Sequence, residues 1–138
     1  MTPRAPILLV EDDPALAELV LVALRDDALP VVHVATGAEA IAEVEAATPR
    51  LVLLDLDLPD MRGLQVLDRV RALDPARTVP VVVLSSSEDE DDVARAAALG
   101  ANSYVVKPTR FDEFRDTVQC TVDYWTRLHR APDAGGAA

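Results

Sequence analysis

Basic residues are scarce in this chain: 13 Lys and Arg stand against 24 Asp and Glu, for a formal charge of −11. Nucleic acid and anionic membrane surfaces both reward clustered Lys and Arg, so the deficit argues against either as a partner. Cysteine is scarcer still. Cys120 stands alone, which excludes an internal disulfide and a cysteine-based zinc site, and its expected role is that of a small buried apolar side chain. Long hydrophobic runs are missing too. Nothing approaches the roughly 18 apolar residues of a membrane span, and the apolar segment in the opening MTPRAPILLV is too short for a signal peptide. The expectation is a cytoplasmic protein that does not enter a membrane. There are no internal repeats, and no linker points to a second domain. His33 and His129 lack ligand companions and are read as structural or solvated.

What is present is apolar residue in quantity. Half of the 138 residues are apolar, enough for one domain with one real core and too few for two. Residues 6–130 form that expected domain. Residues 1–5 read as an N-terminal extension, and residues 131–138, APDAGGAA, carry no apolar periodicity and read as a disordered tail.

Within the domain, Leu51 to Leu54 is a run of four apolar residues with no polar alternation, the mark of a strand buried on both faces in a parallel sheet. Similar short runs occupy residues 7–10, 31–34, 81–84 and 104–106. Helical patterns fill the gaps. Asp13 and Pro14 suit an N-cap and first turn, followed by Leu16, Leu19, Val20 and Ala23 on one face. Thr36 and Glu39 read as a capping box opening a helix through Ile41 and Val44. Gly63 and Leu64 begin a third helix, with Leu67 and Val70 at helical spacing, that stops before Pro75. The acids Glu88 to Asp92 suit the positive end of a helix dipole, and that helix ends at Gly100. Phe111, Phe114, Val118, Val122, Trp125 and Leu128 then predict a last helix reaching about residue 129, with Trp125 on its core face. Five buried strands alternating with five helices specify a doubly wound α/β sheet, because parallel strands need crossovers and helices supply them.

The ends of these strands carry the chemistry. Glu11 and Asp12 follow the first, Asp55 follows the third with Asp57 two residues later, Ser85 follows the fourth and Lys107 the fifth. With strand order 2-1-3-4-5 the switch point lies between the first and third strands, where such sheets bind ligands. Four carboxylates converging there would repel one another unless a cation joined them, and Mg²⁺ suits oxygen ligands. Lys107 adds a fixed positive charge and Ser85 a hydroxyl donor, while Ser86 and Ser87 read as loop and cap residues. A carboxylate nucleophile, for which Asp55 is the choice, flanked by such groups is equipped to accept a phosphoryl group.

The motifs ILLVEDDP, LVLLDLDLPDMRG, VPVVVLSSS and GANSYVVKP, in that order, resemble the receiver domain of two-component response regulators across residues 6–129. The resemblance implies the flavodoxin-like receiver fold, a three-layer sandwich around the sheet. It implies that Asp55 is the phosphoacceptor, charged from a phosphohistidine on a sensor histidine kinase, and that the chain catalyses only its own phosphorylation and dephosphorylation. Mg²⁺ would be held by Glu11, Asp12, Asp55 and the backbone carbonyl of Asp57. Ser85 would follow the phosphoryl oxygen, Lys107 would pair with it, and the rotamer of Tyr104 would report the switch. A cis bond before Pro108 is also implied.

Pairing into a homodimer through the last strand and helices is implied as well, and an apolar patch left on the last helix would provide the surface. The LxLP loop, the serine-rich loop and the late aromatic helix look most like small stand-alone regulators serving phytochrome-type sensor kinases. Such relatives often carry Asn where this chain has Asp57, so Asp57 is expected to tighten Mg²⁺ binding and alter dephosphorylation. With no output domain read in the sequence, output is expected through a protein contact or transfer to a histidine phosphotransfer protein.

Two alternatives compete. The DLD after an apolar run, followed by Ser85 and Lys107, also looks like haloacid-dehalogenase-type phosphatases, with Asp55 as nucleophile and Asp57 as general acid/base. That family opens with the motif and needs an acidic pair after the lysine, whereas here the pair precedes Asp55. The other alternative is a phosphorylation-independent interaction module with a receiver fold.

Overall fold

Short runs of Val, Ile and Leu become strands because branched side chains pack well on a pleated, covered surface. The computed structural model describes residues 5–25, 29–73 and 76–129. It forms β1 (Ile7–Val10), β2 (Val31–Val34), β3 (Leu51–Leu54), β4 (Val81–Ser85) and β5 (Ser103–Val106). The strands are parallel and lie in the order β2-β1-β3-β4-β5. Between them run α1 (Pro14–Ala23), α2 (Gly37–Ala46), α3 (Gly63–Ala72) and α4 (Glu90–Ala98), and α5 (Phe111–Asp123) follows β5. The expected extension (but for Ala5), the tail and Pro75 lie outside the described residues. Among those residues no helix is long and apolar enough to cross a membrane.

Side chains alternate across each strand, so the sheet feeds two separate cores. Leu8, Val10, Val52, Leu54, Val81 and Val83 pack with Ala40 and Val44 of α2, Leu67 and Val70 of α3, and Ala96 of α4. On the other face Ile7, Leu9, Leu51, Leu53, Val82 and Leu84 pack with Ala17 and Val20 of α1 and Phe114, Val118 and Val122 of α5. Helix ends follow the sequence closely. Asp13 accepts from the Ala15 N–H at 2.9 Å with Pro14 in the first turn, Asp89 caps α4 through the Asp91 N–H, and Gly100 takes a left-handed φ of 99°. At α2 only half of the capping box forms. The Thr36 hydroxyl accepts from the Glu39 N–H and donates to the Glu39 carboxylate instead of leaving it for the backbone.

Four expectations need correction. The edge strands β2 and β5 are half-exposed, since each has a neighbour on one side only. Cys120 is exposed: it lies two residues from both Val118 and Val122, about 200° around the helix from either. Leu128 is 71% exposed, because the last helix ends in a π-helical turn, Tyr124–Leu128, whose wider winding carries it off the inward face. Phe111 at the other end is 72% exposed, lying at the edge of a groove with Leu19 and Val22 of α1. Trp125 does pack against the α1/α5 core, as its spacing predicts.

Candidate functional site

Strand order makes β1 and β3 neighbours, and their C-terminal ends deliver acids to the same rim. The backbone ladder continues one residue past the strands: the Glu11 N–H donates to Val34 O at 3.0 Å, Asp55 N–H to Val10 O at 3.0 Å, and Lys107 N–H to Ser85 O at 2.8 Å. The backbone of each of these three residues is therefore fixed by sheet hydrogen bonds. His33 on β2 adds to this, since its Nε2–H donates to the Glu11 carbonyl at 2.8 Å; the histidine is structural. His129 packs against Trp125, ring centroids 4.5 Å apart and ring planes tilted by 54°.

One carboxylate oxygen from each of Glu11, Asp12 and Asp55 lies within 4.8 Å of the others. Glu11 and Asp55 are buried and Asp12 faces solvent. Lys107 Nζ donates to Glu11 Oε1 at 2.7 Å and stands 3.6 Å from Asp55 Oδ1. Burial pushes the Asp55 carboxyl up to about 7, with the neighbouring Glu11 adding to the rise and the Lys107 ammonium opposing it. A second cation in the pocket would favour the charged form. Three hard oxygen donors in this spacing, two of them buried, fit Mg²⁺ or Mn²⁺.

The expected convergence of four carboxylates reduces to three. Asp57 is exposed and its carboxylate lies outside the acidic group. Leu56 turns into the core, and Asp57 then bridges antiparallel to Arg62, which directs the loop outward. Its backbone stays close: the Asp57 N–H donates to Asp55 Oδ1 at 3.3 Å. Ser85 is fully buried at the end of β4, and its Oγ accepts from the Ser87 N–H at 3.1 Å. Tyr104 on β5 packs against the α2/α3/α4 core and donates its hydroxyl to Ser87 O at 2.8 Å.

Three residues that local sequence does not single out hold the framework together, Asp60 and Ser87 at this rim and Arg71 at the opposite edge of the sheet, where β4 and β5 begin. Asp60 reaches back to the start of α2, accepting from the Gly37 and Ala38 N–H groups at 2.8 and 3.0 Å. Arg71 donates to Gly100 O, Val79 O and Asn102 Oδ1. Ser87, read from the sequence as a loop or cap residue, joins β4, β5 and α4. In each case the partner lies well away along the chain or on another element, so no local pattern announces it. Gly63 permits the closest approach in the loop, since a side chain there would collide with the backbone of Asp55 and Leu56.

The family described as response regulator receiver domain matches residues 7–119. The chain is 40% identical over 107 residues to the DNA-binding response regulator MtrA of Mycolicibacterium smegmatis, covering 78% of this chain and 46% of that protein. It spans about half the length of the curated relatives it matches. The phosphorylated cyanobacterial phytochrome response regulator RcpA matches with a TM-score of 0.89 and 32% identity, over 94% of this chain and 99% of that one. The Mn²⁺-bound form of response regulator Rcp1 matches with a TM-score of 0.86 and 31% identity, over 93% and 99%.

Proposed function

This chain belongs to the response regulator receiver domain family, and from that premise we propose that Asp55 accepts a phosphoryl group from the phosphohistidine of a sensor histidine kinase in a Mg²⁺-dependent reaction. The observation that carries the reading is the placement of a buried Asp55 beside the Lys107 ammonium and within 4.8 Å of the Glu11 and Asp12 carboxylates. An ionised Asp55 oxygen attacks phosphorus, the P–N bond breaks, and its electron pair leaves with the donor imidazole. Lys107 exchanges part of its contact with Glu11 for a phosphoryl oxygen, and the Ser85 hydroxyl donates to another. Glu11, Asp12, Asp55 and the backbone carbonyl of Asp57 would hold Mg²⁺, whose chemistry is to offset charge on the oxygens of the transferring group.

Partner and output follow from the same reading. The likeness to RcpA, a phytochrome response regulator, supports a phytochrome-type sensor kinase as the donor. The protein then acts in the cytoplasm, signalling through a protein contact, a histidine phosphotransfer protein or a homodimer formed through β5 and the last helices. Its only catalysis is its own phosphorylation and dephosphorylation. A phosphatase of the haloacid-dehalogenase type would need the Asp57 carboxylate beside Asp55, and it lies outside that group.

Intact-mass analysis after incubation with acetyl phosphate, with and without Mg²⁺, tests the reading. We expect one phosphoryl adduct that requires both Mg²⁺ and Asp55 and is missing in Asp55→Asn. Steady release of inorganic phosphate with no adduct would favour the phosphatase, and neither product would leave a phosphorylation-independent module.

A further inference from the structure

Ser87 uses every polar group it has. Its N–H donates to Ser85 Oγ at 3.1 Å, and its carbonyl accepts from the Tyr104 hydroxyl at 2.8 Å. Its own hydroxyl donates to Asp92 Oδ2 at 2.7 Å and accepts from the Asp89 N–H at 3.2 Å. One residue therefore joins the end of β4, β5, and both the cap and first turn of α4. Asp92 is also approached by Arg62, 3.8 Å away at the start of α3.

The two ends of α4 are held differently. At its C-terminal end Gly100 O accepts from Arg71 Nε and Nη2 at 3.0 and 2.7 Å, while Arg71 Nη1 holds Val79 O at 2.7 Å. That end is tied to α3 and to the segment leading into β4. The N-terminal end is tied to the site rim by the Ser87 hydroxyl and by the longer, exposed Arg62 pair. Ser85 Oγ now serves as the acceptor for Ser87. If Ser85 turns toward a new oxygen on Asp55, the Ser87 N–H must follow it or lose its acceptor, and the Ser87 hydroxyl carries that displacement to Asp92.

We infer that Ser87 is the positioning residue through which Ser85 is coupled to the first turn of α4, with the hydroxyl bond to Asp92 as the coupling element. The inference rests on the reading of Asp55 as phosphoacceptor and adds how its state is transmitted. Ser87→Ala tests the coupling: it keeps the N–H bond to Ser85 and the carbonyl bond from Tyr104, and removes the hydroxyl with its bond to Asp92 and the longer, exposed one from the Asp89 N–H.

The test is hydrogen exchange of the 88–99 segment in the full chain, with and without acetyl phosphate and Mg²⁺, with adduct occupancy measured by intact mass on the same samples. Wild type should show a phosphorylation-dependent change in exchange at the first turn of α4. Ser87→Ala should reach the same occupancy while its change falls below about a third of wild type, and Ser87→Thr, which keeps the hydroxyl, should restore most of it. A wild-type-sized change in the Ala variant overturns the inference, as does failure of Thr to rescue. Loss of the adduct in Ser87→Ala also overturns it, because Ser87 would then serve the chemistry itself. An adduct on wild type without any change at α4 overturns the inference alone, whereas no adduct on wild type overturns the phosphoacceptor reading with it.

Discussion

At the scale of single residues, the fold holds Asp55 where its charge is unwelcome. The ordinary value of 3.8 rises to about 7, chiefly through burial. An acid whose native value lies above its unfolded value contributes stability that is complete below pH 3.8 and is lost as pH rises through about 7. Above that window the ionised carboxylate works against folding, by an amount on the order of a few kcal/mol. Asp55→Asn is therefore expected to raise Tm by roughly 5 °C or more at pH 8 and by clearly less at pH 5. Thermal melts at the two pH values, without divalent cation, check this; a gain independent of pH would show that the shift is absent. Asp57 gives the opposite case. Its carboxylate is exposed and outside the acidic group, so solvent screens its effect on a bound cation. Titration calorimetry should find Mg²⁺ affinity in Asp57→Asn within about fivefold of wild type, the range of an exposed charge pair.

At the scale of elements, much was legible and the exceptions share a cause. Four-residue apolar runs locate β1, β3 and β4 because a strand covered on both faces needs no alternation, and Asp13–Pro14 and Gly100 mark helix ends through their own backbone chemistry. The acids and the lysine were legible because strand ends project to one rim. Asp60 was not, because the start of α2 that it caps lies 23 residues upstream, and Arg71 was not, because its Gly100 partner lies 29 residues away. Cys120 was misplaced because composition says nothing about helical phase. Asp60 ties the loop that follows Asp55 to α2, so Asp60→Ala should weaken Mg²⁺ binding several-fold, short of the roughly tenfold cost of losing a direct outer partner. Calorimetry measures the loss, and faster exchange across residues 56–62 should accompany it. Arg71 satisfies two backbone carbonyls at once with its planar fork. Urea unfolding should show Arg71→Ala destabilised by about 2–4 kcal/mol, with Arg71→Lys a poor substitute.

For the whole molecule, the arrangement that matters is the separation of the two cores by the sheet. Val70 of α3 belongs to one and Val118 of α5 to the other, both 1% exposed. Each Val→Ala change should cost about 1–3 kcal/mol, and the double variant should equal the sum within about 0.5 kcal/mol in urea titrations. A larger coupling would mean that strain crosses the sheet. The same separation runs through neighbouring residues of β5, where Tyr104 packs with the α2/α3/α4 layer and Val105 with the α1/α5 layer. The sheet is in this sense an insulating wall. A change of packing among α2, α3 and α4 meets the sheet before it meets α1 and α5. A lineage, or a designer, is then free to reshape the α4 side without solving the packing of α1 and α5 again.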